Sequence, residues 1–263
     1  MTAGPVAGHP AARDPERALW DRLRAHTRSR IGLGRAGDAL DTAAVLDLSA
    51  AHAAARDAVH SAVDVDAVVA GLRELGLAEV PVVASQAGDR SIYLRRPDLG
   101  RQPDELSGLT RTSPDVAIVV CDGLSALAVT DHAVPMVAAL LAALPEHATA
   151  EVVVATQARV ALGDHIAAAL GADAVVVLIG ERPGLSVADS LGAYLSYRPR
   201  PGMADSERNC VSNIHPHGLS YRRAAAIVVA LLEGAKALGR SGVDLKDTSV
   251  EELISGEAVP ELH

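Results

Sequence analysis

Phenylalanine is absent from this 263-residue chain, and tryptophan and tyrosine bring the aromatic share to only 2%. That removes the stacking platform on which single-stranded nucleic acids are held, and it leaves Ala, Val, Leu and Ile to build the core. Cysteine is scarce as well: the chain has two, Cys121 and Cys210, too few for a disulfide scaffold. With no positively charged, apolar leader at its start, the chain is expected in a reducing, cytoplasmic compartment. Long apolar runs are missing. Stretches such as 175–179 and 224–232 fall short of the roughly 20 residues that span a bilayer, so no membrane segment is expected. Basic residues are in deficit, 24 Lys and Arg against 33 Asp and Glu for a net charge of -9. This argues against a broad phosphate-binding face for nucleic acid and leaves room only for small basic patches.

Several chemistries also lack their motifs. No G-x-x-x-x-G-K-[ST] offers a phosphate cradle, and no G-x-S-x-G elbow presents a serine nucleophile. Gly32-Leu-Gly-Arg-Ala-Gly37 matches G-x-G-x-x-G, but residues 27–31 before it do not read as the buried strand that a dinucleotide site requires. Cys210, His215 and His217 lie close together, yet their spacing is not a zinc pattern and a tetrahedral site would need a fourth ligand from elsewhere. No metal site is expected; a loop that orders around a ligand is the better reading of 208–217.

What is present is an apolar chain, 49% hydrophobic, long enough to bury roughly three quarters of its unfolded surface. Residues 1–14 mix Gly, Pro and Ala without periodicity and read as a flexible tail. Residues 15–78 read as a helical N-terminal region, with helices over about 15–30, 41–63 (Asp41 capping) and 66–75, the last stopped by Gly76. Residues 79–263 read as an α/β domain. Short β-rich pieces are expected at 80–84 and 91–94. Continuous β-branched runs follow at 116–121, 152–155 and 174–179, separated by helices from near Pro135 to Leu144 and from Asp164 to Leu170. Runs of that kind are strands buried on both faces. The expected fold is a doubly wound, mostly parallel, Rossmann-like sheet, with a further strand at 194–197 and a buried helix over 220–238 closed by Gly239.

In such a sheet ligands bind beyond the carboxyl ends of the strands. Those ends read Cys121-Asp-Gly-Leu-Ser125, Thr156-Gln-Ala-Arg-Val160 and Gly180-Glu-Arg-Pro-Gly184. Topology therefore gathers Asp122, Ser125, Arg159, Glu181 and Arg182 along one rim, with both signs of charge facing one cavity.

Four groups of segments, in collinear order from about Thr27 to Val243, carry a family resemblance. They are Arg30-Ile-Gly-Leu-Gly-Arg-Ala-Gly37 with Ala55-Arg-Asp-Ala-Val59; Tyr93-Leu-Arg-Arg-Pro-Asp-Leu-Gly-Arg101; Asp115 to Ser125; and Gly180 to Leu185 with Cys210-Val-Ser-Asn-Ile-His215. Together they resemble the small (light, beta) subunit of adenosylcobalamin-dependent ethanolamine ammonia-lyase. The resemblance implies one subunit of a carbon–nitrogen lyase that converts ethanolamine to acetaldehyde and ammonia by a radical mechanism. It implies a hetero-oligomer with several copies of each chain, in which a large barrel subunit holds the substrate and does the chemistry. This chain then carries no catalytic residue, is inactive alone, and helps hold the cofactor at the subunit interface. Carried over position by position, the cofactor contacts fall on Val160, Glu181 and Cys210. None of the ten histidines has Asp two positions before it, so the D-x-H-x-x-G motif that replaces the cofactor's lower base is missing and a base-on cobalamin is expected. Some members carry a longer N-terminal extension that directs them to a bacterial microcompartment; the short Pro/Gly/Ala stretch here leaves that targeting open. Where the family has Gly-Thr-Pro-Pro after the Asn-Ile-His segment, this chain has Gly218-Leu-Ser-Tyr221.

Overall fold

The structure, a computed structural model, describes residues 15–246; the tail expected over 1–14 lies outside the described residues. The chain divides after Ala54 into two compact units.

In the first unit, α1 (Pro15–Arg24) is followed by a two-residue hairpin, β1 (Arg35–Ala36) with β2 (Ala39–Leu40). Arg24 Nη1 donates to the carbonyls of Ile31 at 2.9 Å and Gly32 at 2.7 Å, turning the chain back on the helix. Residues 27–31 form no strand. Gly32 has φ +57°, and a side chain there would overlap the Trp20 ring. The glycine therefore serves close packing, and the G-x-G-x-x-G match lacks the setting that would give it a nucleotide. Asp41 accepts from Ala44 N at 2.7 Å and starts α2 (Thr42–His60).

The second unit runs α3 (Val65–Glu74), β3 (Val82–Ala84), α4 (Arg90–Arg95), β4 (Val116–Cys121), α5 (Ala126–Ala143), β5 (Ala150–Thr156), α6 (Leu162–Leu170), β6 (Ala174–Gly180), β7 (Leu191–Tyr197), β8 (Asn209–Ile214) and α7 (Tyr221–Leu238). Six strands form one sheet in the order β3-β5-β4-β6-β7-β8. The first four are mutually parallel, and β7 and β8 are added antiparallel. Every residue of β4 and β6 is buried, as β-branched runs covered on both faces require. On one face Ile118, Val120, Val176 and Leu178 pack with α3, α5 and α7; on the other Val119, Val153 and Val177 pack with α6. The sheet is thus covered on both sides. Because β4 connects through α5 and β5 through α6, the chain leaves these neighbouring strands toward opposite faces, which opens a crevice at their carboxyl ends.

Three sequence expectations change. The piece at 91–94 is not β but part of α4, because Asp89 accepts from Ile92 N at 2.8 Å and caps a helical turn. Helix α5 starts nine residues before Pro135 and runs through it, its start fixed by Ser125, whose Oγ accepts from Ala128 N at 3.2 Å. At 18 residues it is long and apolar enough to cross a membrane, but Ala128, Val129, Ala133, Met136 and Leu140 are all at most 1% exposed against the sheet and its neighbours. The third change is β8: the polar segment read as a loop is an edge strand.

At the carboxyl ends of β4 and β6 the two backbones nearly touch. A Cβ on Gly180 would overlap the carbonyl oxygen of Ser125 and stand 2.8 Å from that of Asp122. Gly123, at φ +58°, faces Gly180 from the other side, and Leu124 N donates to Gly180 O at 2.9 Å. The obstructing atoms are backbone and cannot rotate away. Gly180→Ala is therefore expected to cost about 1–3 kcal/mol, the usual penalty of overpacking, read as a lower urea midpoint; a midpoint equal to wild type would contradict this close approach.

Candidate functional site

A cavity of about 490 Å³ opens at the carboxyl edge of β4 and β6, between the β6–β7 loop and the start of α6. Its size is that of an ordinary small-molecule site. Arg159, Glu181 and Arg182, three of the five rim residues expected from the sequence, line it, as does Val160. Asp122 and Ser125 do not. They are buried, 3% and 0% exposed, and fasten the walls.

Asp122 is the main fastener. Its carboxylate accepts from Gly123 N at 3.0 Å, Gln157 N at 2.8 Å and Ala158 N at 2.9 Å, so the end of β4 holds the turn after β5. Arg90 Nη1 lies 3.6 Å from it and donates to Gly123 O at 2.7 Å. The turn it grips is strained, with Gln157 at φ +50°. Burial pushes the Asp122 carboxyl above its usual range, outweighing the three amide donors and Arg90. Ser125, besides capping α5, donates to Ala188 O at 2.7 Å and pins the β6–β7 loop.

The next layer is aromatic. Tyr93 is fully buried on α4, and its hydroxyl donates to Ala158 O at 3.1 Å. The Arg159 guanidinium lies 4.2 Å from the centroid of its ring, and Arg159 Nη2 donates to Tyr93 O at 3.3 Å. Arg90 lies 4.9 Å from the same centroid. Burial raises the Tyr93 phenol well above its ordinary value, so it stays neutral.

The three residues carried over by resemblance sit as follows. Val160 is half-buried in the turn that leads into α6 and lines the cavity. Glu181 is half-buried just past β6; one carboxylate oxygen accepts from Ser190 Oγ at 2.7 Å and from Asn213 N at 3.2 Å, tying the loop to β8. Cys210 lies on β8 directly across from Tyr194 of β7. It is not among the lining residues, but Tyr194 is, and the two side chains share a hydrogen bond. Burial, with the neighbouring Cys210 and Glu181, pushes the Tyr194 phenol up to about 12. The structure thus joins Val160 and Glu181 in one cavity and sets Cys210 at its margin. His215 is buried with Nε2 3.0 Å from Asn213 Oδ1, and among the described residues no three His, Cys, Asp or Glu side chains gather as a metal site would need.

The rim expected from the strand ends did not include Tyr93, Arg101, Asp205 or Arg208, which also line the cavity. Arg208 forms a bidentate pair with Asp164 of α6 at 2.6 and 2.7 Å and donates to Ser196 Oγ at 2.9 Å and Met203 O at 3.0 Å. A charged residue alone in the apolar run of α6 was the signal for it, since a buried carboxylate needs a partner.

The raised Asp122 carboxyl sets a pH dependence. A folded value above the unfolded one contributes stability that is fully present below the unfolded range and is lost as pH rises through the folded value. The difference in unfolding free energy between wild type and Asp122→Asn is expected to shrink as pH rises from 4 to 7, read by urea titration. A difference that widens would show that the amide donors and Arg90 outweigh burial.

Comparison with known proteins gives this site its context. Residues 17–246 match the protein family described as ethanolamine ammonia-lyase light chain (EutC). The chain is 54% identical over 244 residues to the ethanolamine ammonia-lyase small subunit of Rhodococcus erythropolis, covering 92% of this chain and 95% of that protein. It is 51% identical over 257 residues to the small subunit from Bradyrhizobium diazoefficiens, with 94% and 98% covered. To that of Azotobacter vinelandii it is 46% identical over 257 residues, with 94% and 93% covered. With the family match spanning most of its length, the chain belongs to the ethanolamine ammonia-lyase small-subunit family.

Proposed function

We propose that this chain is the cofactor-holding subunit of an adenosylcobalamin-dependent ethanolamine ammonia-lyase, acting where it meets the large catalytic subunit. The observation that carries the reading is the cavity at the sheet's carboxyl edge, in which Val160 and Glu181 face one space with Cys210 at its margin. The residues suit a corrinoid. Its rim carries amide side chains, for which the Glu181 carboxylate is an acceptor, while Val160 offers an apolar contact. Buried polar atoms nearby, Arg159 Nε and Gln157 Oε1, have no protein partner. A corrinoid is larger than the 490 Å³ this chain encloses, which supports a site completed by the large subunit.

When bound, adenosylcobalamin supplies the radical that initiates deamination. This chain's own part is to bind and orient. Glu181, fixed by Ser190 Oγ and Asn213 N, presents its carboxylate from a strand end rather than from a free loop. The Arg208–Asp164 pair ties the segment before Cys210 to the first turn of α6, which follows Val160, and so holds two cofactor-facing elements at a fixed separation. No group of this chain is assigned a proton transfer. With no D-x-H-x-x-G in this chain to replace the cofactor's lower base, the cofactor would be held base-on.

Co-expression with the large subunit is expected to give adenosylcobalamin-dependent release of acetaldehyde from ethanolamine, and this chain alone none; robust turnover by this chain alone would overturn the division of labour. Glu181→Ala removes a charge-assisted hydrogen-bond acceptor, an interaction of about 1.5–3 kcal/mol. In the assembled enzyme it is expected to weaken cobalamin affinity about tenfold or more, read by equilibrium dialysis. Unchanged affinity would favour a subunit that only caps its partner.

A further inference from the structure

The cavity carries more positive charge than its neighbours neutralise. Four arginines line it, Arg101, Arg159, Arg182 and Arg208, against two carboxylates, Glu181 and Asp205. Arg208 is charge-paired with Asp164 behind the wall, with 2% and 0% of the two side chains exposed. Asp205 stands 3.5 Å from both Arg101 and Arg208, and Glu181 is engaged by Ser190 and Asn213. Among the described residues neither Arg159 nor Arg182 takes part in an ion pair. In a chain of net charge -9, two arginines without an acid partner in one cavity call for a reason.

The geometry supplies one. The Arg159 guanidinium lies against the buried Tyr93 ring, and the one hydrogen bond its side chain makes among the described residues, from Nη2 to Tyr93 O, leaves the rest of the donor fork without an acceptor; Nε is buried and unpartnered. An oriented guanidinium presents a planar fork that matches the oxygens of a phosphate. Just beyond it, Val160 and Ala161 line the same cavity as they lead into α6, whose first amides, Leu162, Gly163 and Asp164, already donate to the carbonyls of Arg159, Val160 and Ala161. The positive end of the α6 dipole adds to the field of the two arginines, offset in part by the Asp164 carboxylate in its first turn.

We infer that Arg159 and Arg182, which line one cavity and have no acid partner, form an anion subsite that takes a phosphodiester, and that in the assembled enzyme this is the phosphodiester of the cobalamin nucleotide loop. The second clause rests on the function proposed above; the first does not. The subsite divides the labour within the cavity: Glu181 faces donors of the corrin rim, and the arginines face the one anionic group of the cofactor's tail.

The test compares two corrinoids in the assembled two-chain enzyme: adenosylcobalamin, and adenosylcobinamide, which has the same corrin and upper ligand but no nucleotide loop. Arg159→Gln and Arg182→Gln are each expected to weaken adenosylcobalamin binding tenfold to a hundredfold, the range of a charge-assisted hydrogen bond, and to leave adenosylcobinamide binding unchanged. Arg182 is exposed, so its variant keeps the test meaningful if Arg159→Gln fails to fold. Equal losses for both corrinoids, or no loss for either, would overturn the assignment to the nucleotide loop. If the wild-type enzyme binds neither corrinoid, the proposed cofactor role falls and inorganic phosphate decides the subsite by itself. A rise in melting temperature with phosphate over chloride at equal ionic strength, lost in Arg182→Gln, supports an anion site for free phosphate. No rise, or a rise that survives the substitution, overturns it.

Discussion

One buried carboxylate sets the geometry of the cavity's walls. Asp122, at the end of the central strand, has no solvent to satisfy it and finds three backbone N–H groups instead, one on its own turn and two on the turn after β5. Those bonds hold Gln157 in a left-handed conformation and turn the chain so that Arg159 and Val160 emerge into the cavity. Arg90 draws α4 to the same point through Gly123 O, and α4 brings Tyr93 under Arg159. A parallel sheet offers a crevice at its switch point by topology alone. What makes the crevice a defined site is that its walls hang from one acceptor whose burial is costly and which therefore must keep all its donors.

The opposite wall is built by different means. Strands β7 and β8 extend the parallel core antiparallel, placing Tyr194 and Cys210 across from each other, with Tyr194 paired to Val177 in the middle of β6. Nothing in a doubly wound fold requires this pair of strands to sit close to α6. The Arg208–Asp164 bridge supplies the constraint: it is buried, bidentate and further bonded to Ser196 and Met203. Burial alone would favour loss of the Arg208 charge, yet the bonds to Asp164 hold its protonated form above the ordinary range. Replacing such a pair with apolar groups can be neutral, whereas removing one partner strands a charge in the interior. Its value here is therefore positional, since it fixes how far the β8 wall stands from the α6 wall.

How much of this was legible in the sequence follows from the same physics. Strands β4, β5 and β6 were plain because burial on both faces demands unbroken β-branched runs, and their ends could be read as a rim once the sheet was parallel. Strand β8 was not. A register shift where it meets β7 and the left-handed Asn213 break its alternation, leaving only Val211 and Ile214 facing inward among polar neighbours. The start of α5 is hidden in the sequence because Pro135 reads as a helix beginning, whereas a proline can sit within a helix whose packing outweighs one lost hydrogen bond. Asp122 and Arg182 looked alike as charged strand-end residues. Only the structure shows that one is turned inward to hold backbone and the other outward to the cavity, because sequence position fixes which end of the sheet a residue occupies but not which way its side chain is drawn.

The scarcity of aromatic residues in the chain bears on the site as well. Of only four tyrosines, two line this cavity, Tyr93 and Tyr194. The sheet and its helices need few aromatics because Ala, Val, Leu and Ile pack them closely. An arginine that must keep one orientation cannot be held by such side chains, which attract a guanidinium weakly and without direction. A buried aromatic ring does hold it, through its quadrupole and its flat face, and Tyr93 is itself locked by its hydroxyl bond to Ala158 O. Ala158 N in turn is one of the donors that Asp122 requires. The ring that orients Arg159 and the carboxylate that aims its loop are thus joined through a single peptide segment, so the charged group facing the cavity is positioned from both ends by buried partners rather than by the loop that bears it.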